Sequence, residues 1–309
     1  MAALLLSLAL GTPTPTPTPT DSEPAPTNVW SESGARSWTL CRRYEAEAEH
    51  QLRAGTPESD TKLLAQWRSR IETCPQLPAA LVLTARLEIE NPPRADRAVD
   101  FLDELPELDR AIREQRRLVL GLLVAAELEA ERRGQPLPSP ARYLAAYAAI
   151  GMGDAALAKP LVRAARAAGE IDSWRIDRLA ALVAVFEGDL QSALRLAHRA
   201  RAHATTGGRP ASTFVLALVL DRQGSIAAAR GLLRTLRVRD SRTLSSLDTL
   251  LPLRERLYLM ALYQEAKGHS ASAYTLWQVY LEREGVDAPE REQVRRRLLE
   301  LRPAPTLAE

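Results

Sequence analysis

From Trp38 onward, apolar side chains step along the chain by threes and fours. Trp38, Cys41, Tyr44, Ala48 and Leu52 fall near one stripe, which predicts a helix over residues 37–53. Ala54-Gly55-Thr56-Pro57 reads as a turn, with Thr56 as N-cap and Pro57 in the first turn of a second helix reaching about residue 73. Cys74-Pro75 ends that helix. Segments 77–90 and 95–105 flank Asn91-Pro92-Pro93, with small residues Ala85 and Ala98 on the two sides. Segment 108–133 reads as one or two helices and meets no strong breaker before Gly134-Gln135-Pro136. Ser139-Pro140 reads as a cap followed by a first-turn proline. Asp287 and Glu290 have capping-box spacing and open a last helix to about residue 301.

Beyond residue 139 the pattern repeats. Short turns carry Gly153, Gly188, Gly224 and Gly268, at spacings of 35, 36 and 44 residues, the last leaving room for an insertion. Each glycine separates two Ala-rich segments of helical length, where a left-handed residue can end the first helix. Alanines stand seven residues before each glycine (Ala146, Ala181, Ala217, Ala261) and five after it (Ala158, Ala193, Ala229, Ala273). Small residues at these places let two helix backbones approach where they cross.

Glycine turns and small-residue crossings in this register resemble the tetratricopeptide repeat, over about half of the chain. The aromatic expected near the start of the first helix is absent as such, and the repeat-ending proline is clear only in places, such as Pro210. The resemblance implies an all-α, right-handed α-solenoid of helix–turn–helix repeats, whose first helices line a concave groove for a peptide or helix. Ten residues before each turn glycine stand Tyr143, Arg178, Phe214 and Tyr258, aromatic and arginine types suited to an interface. Four residues later stand Tyr147, Leu182, Leu218 and Leu262. Either column also reads as hairpin core.

Composition agrees with helix. Ala and Leu dominate, β-branched and aromatic residues are few, and hydrophobic residues make up 46%. Net charge is +2, from 41 basic and 39 acidic residues, which supplies no overall attraction to nucleic acid or anionic lipid. Arg291, Arg295, Arg296 and Arg297 on the last helix read as a solvated face or, less simply, as a contact for an acidic partner.

Residues 1–11 open on MAALLLSLAL, too short to span a bilayer and of the length of a signal-peptide apolar region, although no Lys or Arg precedes it. Residues 12–35 form a Pro/Thr-rich tether that neither helix nor central strand accommodates. The expected division continues with degenerate hairpins over 36–138, repeats and a capping helix over 139–303, and a disordered tail over 304–309. In an antiparallel first hairpin Cys41 and Cys74 lie side by side, so a disulfide is geometrically reasonable. It goes with export, and two reduced thiols go with a cytosol.

No local motif announces chemistry. His50, His198, His203 and His269 lack metal-binding spacing, and the carboxylates Glu45, Glu47, Glu49 and Asp103-Glu104 do not form a helical pair. Phosphate-loop, dinucleotide, nucleophile-elbow and zinc-protease motifs are missing. The expectation is a non-catalytic protein–protein interaction scaffold of the cell envelope or periplasm, without cofactor, metal, nucleic acid or transmembrane span. The alternatives are a cytoplasmic adaptor of the same fold, or a glycan- or lipid-binding accessory protein or enzyme on a helical array.

Overall fold

A computed structural model describes residues 29–54, 60–93, 101–169, 171–236, 250–282 and 288–301. Among the described residues there are thirteen α-helices and no strand. They are α1 (Val29–Ala54), α2 (Thr61–Thr73), α3 (Pro78–Glu90), α4 (Phe101–Arg132), α5 (Ala141–Gly151), α6 (Ala155–Ala168), α7 (Ser173–Phe186), α8 (Leu190–His203), α9 (Arg209–Arg222), α10 (Ile226–Thr235), α11 (Leu253–Ala266), α12 (Ser270–Leu281) and α13 (Ala288–Leu301). The fold is all-α and solenoid-like. Two compact units divide it: Met1–Asn91 with Leu118–Ala141, and Pro92–Arg117 with Arg142–Glu309.

In the first unit α3 packs against both α1 and α2. Trp67, Leu77, Ala80, Leu83 and Leu87 build the core, and Cys41 and Tyr44 pack against it. Cys41 and Cys74 are joined by a disulfide with Cα atoms 5.7 Å apart, as the hairpin geometry predicts. The α2 cap differs from the expected Thr56. Asp60 holds the position, its carboxylate accepting from the Leu63 N–H at 2.9 Å, while residues 55–59 lie outside the described residues. Helix α1 also starts earlier than expected, so residues 29–35 of the expected tether are helical. Residues 101–105 are not part of a separate helix but the first turns of α4, which runs through Pro106. Ala98 lies outside the described residues, and Ala85 is buried.

In the second unit each helix from α6 to α12 packs on the next, α13 packs on α12, and α7 also packs on α9. The turn glycines behave as their register requires. Gly153, Gly188, Gly224 and Gly268 have φ of 78°, 77°, 83° and 80°, the left-handed region that side chains disfavour. Each turn closes alike: the glycine N–H donates three residues back, and the next N–H donates five back, as from Asp154 to Ala149 at 3.0 Å. Asp154 and Asp189 then cap α6 and α8 through their carboxylates. All eight crossing alanines are fully buried. The extra residues in the longest repeat fall between α10 and α11, where residues 237–249 lie outside the described residues. Ser139 is not a helix cap. Its peptide bond to Pro140 is cis, and α5 begins at Ala141.

Polar contacts between hairpins repeat in register as well. Arg166, thirteen residues after its turn glycine, donates to Asp177, eleven before the next. Arg201 and Thr213 occupy the same places one repeat later, and Arg201 donates to the Thr213 hydroxyl at 3.2 Å.

Candidate functional site

The column expected to line a groove is largely core. Phe214 and Tyr258 are fully buried, Tyr143 is 8% exposed, and Arg178 is half-buried over the Trp174 ring. Phe214 packs edge-on to Tyr263, and Tyr258 packs edge-on to Trp277 and Tyr280, with ring centroids 5.7, 4.9 and 5.3 Å apart. This corrects the assignment of Phe214 and Tyr258 to a partner surface. The physical reason is helical register. The column stands three residues before the alanine crossings, one i,i+3 step on the same face, so it follows those alanines inward.

Other faces of the first helices are closed too. All residues of α9 from Ala211 to Val219 are buried. A Cβ at Gly153, in the first of the four turns, would lie 3.5 Å from Pro252, just ahead of α11. Arg116 is fully buried, with its guanidinium 5.4 Å from the Tyr147 ring centroid, and burial lowers its proton affinity.

Tyr258 belongs to a buried ionic network. Arg297 of α13 donates to Glu265 at 2.9 Å and to Asp221. The Tyr258 hydroxyl donates to Asp221 at 2.5 Å, and the Trp277 indole N–H donates to Glu265 at 3.1 Å. Arg222 donates to Glu255 at 2.7 Å and to Glu290, which also accepts from the Tyr280 hydroxyl at 2.6 Å. Asp287 lies outside the described residues, and Glu290 serves this network. Burial, followed by the Asp221 charge, pushes the Tyr258 phenol well up. Burial pulls the Arg222 guanidinium down, but Glu255 and Glu290 outweigh it and the net shift is upward. These ion pairs dock α13 onto α9 and α11. Arg297 is therefore not part of a solvated face, whereas Arg295 and Arg296 are exposed.

The arrangement open to a ligand lies where α6, α7 and α8 meet. A cleft of about 560 Å³ is lined by Arg166, Gly169, Ile171, Ser173, Ile176, Asp177, Arg199 and His203. Asp177 is nearly buried, with 5% of its side chain exposed, and two arginines hold it. Arg166 donates to it at 2.7 Å, and Arg199 donates through both Nε and Nη2, the latter at 2.6 Å. The two arginine side chains are 49% and 52% exposed. Each guanidinium has five N–H donors, more than it gives to Asp177, so one carboxylate leaves the cleft with an excess positive charge. Sequence reading missed this cluster because its members come from three helices. The signal that could have found it is the register that puts Arg166 and Arg201 thirteen residues after one turn glycine and their polar partners Asp177 and Thr213 eleven before the next.

The remaining candidates disperse. All four histidines are exposed. Glu45 accepts from the Ala79 N–H, Glu47 pairs with Arg70, and Glu49 pairs with Arg53. Among the described residues no His, Cys, Asp or Glu group could hold a metal, and no helix is long and apolar enough to cross a membrane. The sequence matches no protein-family model, no curated protein and no solved structure.

Proposed function

We propose that this protein is a non-catalytic scaffold that binds a protein partner through an acidic segment seated in the Arg166–Arg199 cleft. The observation that carries the reading is the pair of half-exposed guanidinium groups sharing one nearly buried carboxylate. A partner Asp, Glu or chain-terminal carboxylate would meet oriented donors already held by Asp177, so little side-chain freedom is lost on binding. The binding place thus moves from the closed first-helix face to the junction of two hairpins.

The glycine turns and buried alanine crossings support kinship with tetratricopeptide-like hairpin arrays. The Cys41–Cys74 disulfide supports an oxidising compartment, and with it export to the cell envelope or periplasm. Thiol alkylation of protein isolated from its host tests the compartment, since two free thiols would favour the cytoplasmic adaptor instead.

Affinity purification from the host, with Arg166→Gln beside wild type and beside Arg195→Gln, tests the binding reading. Arg195 is exposed and lies outside the cleft. Partners lost with Arg166→Gln and kept with Arg195→Gln support it, provided circular dichroism shows both variants folded. Identical partner sets for all three proteins sink it.

A further inference from the structure

The Arg166–Arg199 cleft holds more donors than a carboxylate can use. A guanidinium has five N–H donors. Arg166 spends one on Asp177 and Arg199 spends two, which leaves four and three. The two groups reach the cleft from different helices, α6 and α8, and Ser173 and His203 line it as well. Ser173 is the first residue of α7, so the positive end of that helix borders the cleft. Its exposed neighbour Asp172 pairs with Arg175 at 3.4 Å and makes no side-chain cap bond to the helix. Glu170 lies outside the described residues.

Two guanidinium groups and the one carboxylate they share leave the cleft a net +1, and a helix N-terminus adds about half a charge. An ionised carboxylate brings one negative charge and about four lone-pair sites in a single plane. A phosphate monoester brings about −1.5 to −2 and three strong acceptor oxygens that point apart. Its charge and its shape both suit donors converging from three helices. We infer that the anionic group seated in this cleft is a phosphate monoester carried by a soluble protein partner. The inference rests on the reading of the cleft as the binding place and names the group it selects. A phospholipid headgroup fits less well. The exposed large hydrophobic side chains among the described residues lie on α1, α4 and α13, so the helices of the cleft present little apolar surface to a bilayer.

Titration calorimetry of the full chain with phosphoserine and with aspartate, each N-acetylated and amidated, reads the preference directly. Phosphoserine should bind at least about tenfold more tightly than aspartate, and Arg166→Gln or Arg199→Gln should weaken it by about tenfold. Arg166→Lys keeps a cation beside Asp177, which guards the fold, and should still weaken phosphoserine because it loses the guanidinium fork. Arg195→Gln should change nothing. Circular dichroism verifies folding of each variant. A preference below about threefold, or one that Arg166→Gln and Arg166→Lys both leave intact, would overturn the inference.

Affinity purification from host extract, with and without prior phosphatase treatment, separates the phosphate from the acidic-segment reading beneath it. Partners lost both on phosphatase treatment and with Arg166→Gln support the phosphate. Partners lost with Arg166→Gln but kept after phosphatase defeat the phosphate and leave the acidic segment standing. Partners indifferent to Arg166→Gln defeat both. Arg166-dependent binding of the full chain to phosphatidylglycerol vesicles would place the phosphate on a membrane and defeat the soluble protein partner.

Discussion

Arg297 offers the sharpest test of how the last helix is held. Its guanidinium spans Asp221 of α9 and Glu265 of α11, whose side chains are 0% and 4% exposed. Arg297→Leu keeps much of the apolar volume but removes the cation between two buried carboxylates. Tyr258 and Gln293 still donate to Asp221, and Trp277 and Arg230 still donate to Glu265. Those bonds satisfy lone pairs without restoring the balance of charge around Asp221. Removing one partner of such a buried pair costs about 3–5 kcal/mol. Undocking of α13, which would let water reach Asp221, sets a ceiling on the observed loss. With a urea slope of roughly 2–3 kcal/mol per molar, the midpoint should fall by about 1–2 M. Arg295→Leu, on the exposed side of α13, should stay within about 0.5 kcal/mol of wild type. The double variant Arg297→Leu/Asp221→Asn removes the stranded charge and should recover about 1–3 kcal/mol of the loss. Hydrogen exchange should show the amides of α13 losing protection first. A midpoint shift for Arg297→Leu below about 0.3 M, equal to that of Arg295→Leu, would refute the view that ionic pairing docks this helix.

Four further outcomes follow from the packing and the charges. Ala217→Leu inserts three carbons at a fully buried crossing and should cost about 1–3 kcal/mol or more, read from urea denaturation; a neutral result would mean that the alanine register does not set helix approach. Gly208→Ala places a Cβ 2.2 Å from the Trp174 ring, so α9 or the ring must move, with a lower melting temperature and altered tryptophan emission. Loss of the Cys41–Cys74 bond opens a 33-residue loop and should lower stability by about 3–4 kcal/mol in denaturation compared with and without reductant. Burial raises the Glu45 carboxyl above its ordinary range, with the Ala79 N–H only partly opposing it. Folding stability should therefore be fuller below the ordinary glutamate range and decline as pH rises through the folded value, and Glu45→Gln should abolish that slope in a pH series of denaturation midpoints.

Much of the fold was legible because its signals are local and periodic. A glycine at φ near +80° and an alanine at a crossing are each demanded by residues within a few turns, so Gly153 to Gly268 and their eight alanines could be placed by counting. The hairpin pairing of Cys41 with Cys74 followed from the same antiparallel geometry. Helix starts are less legible because several residues offer equivalent caps. Thr56 and Asp60 both offer a side-chain acceptor, and packing of α2 on α3 selects the start at which Leu64 and Trp67 turn inward.

The sequence by itself determined that this chain forms helical hairpins, where most of them turn, and which small residues sit between their axes. Backbone sterics and side-chain volume act over a few residues, and the order of amino acids records them directly. Only the tertiary structure decided which faces remain open. Phe214 and Tyr258 became core, Arg297 became a buried strut, and Arg166, Asp177 and Arg199 came together from three helices to shape a cleft. Burial and charge pairing depend on neighbours far along the chain, and a periodic pattern gives a helix its apolar faces without saying what will cover them. Helix α4 shows that limit most plainly, with one apolar face buried and a second left exposed.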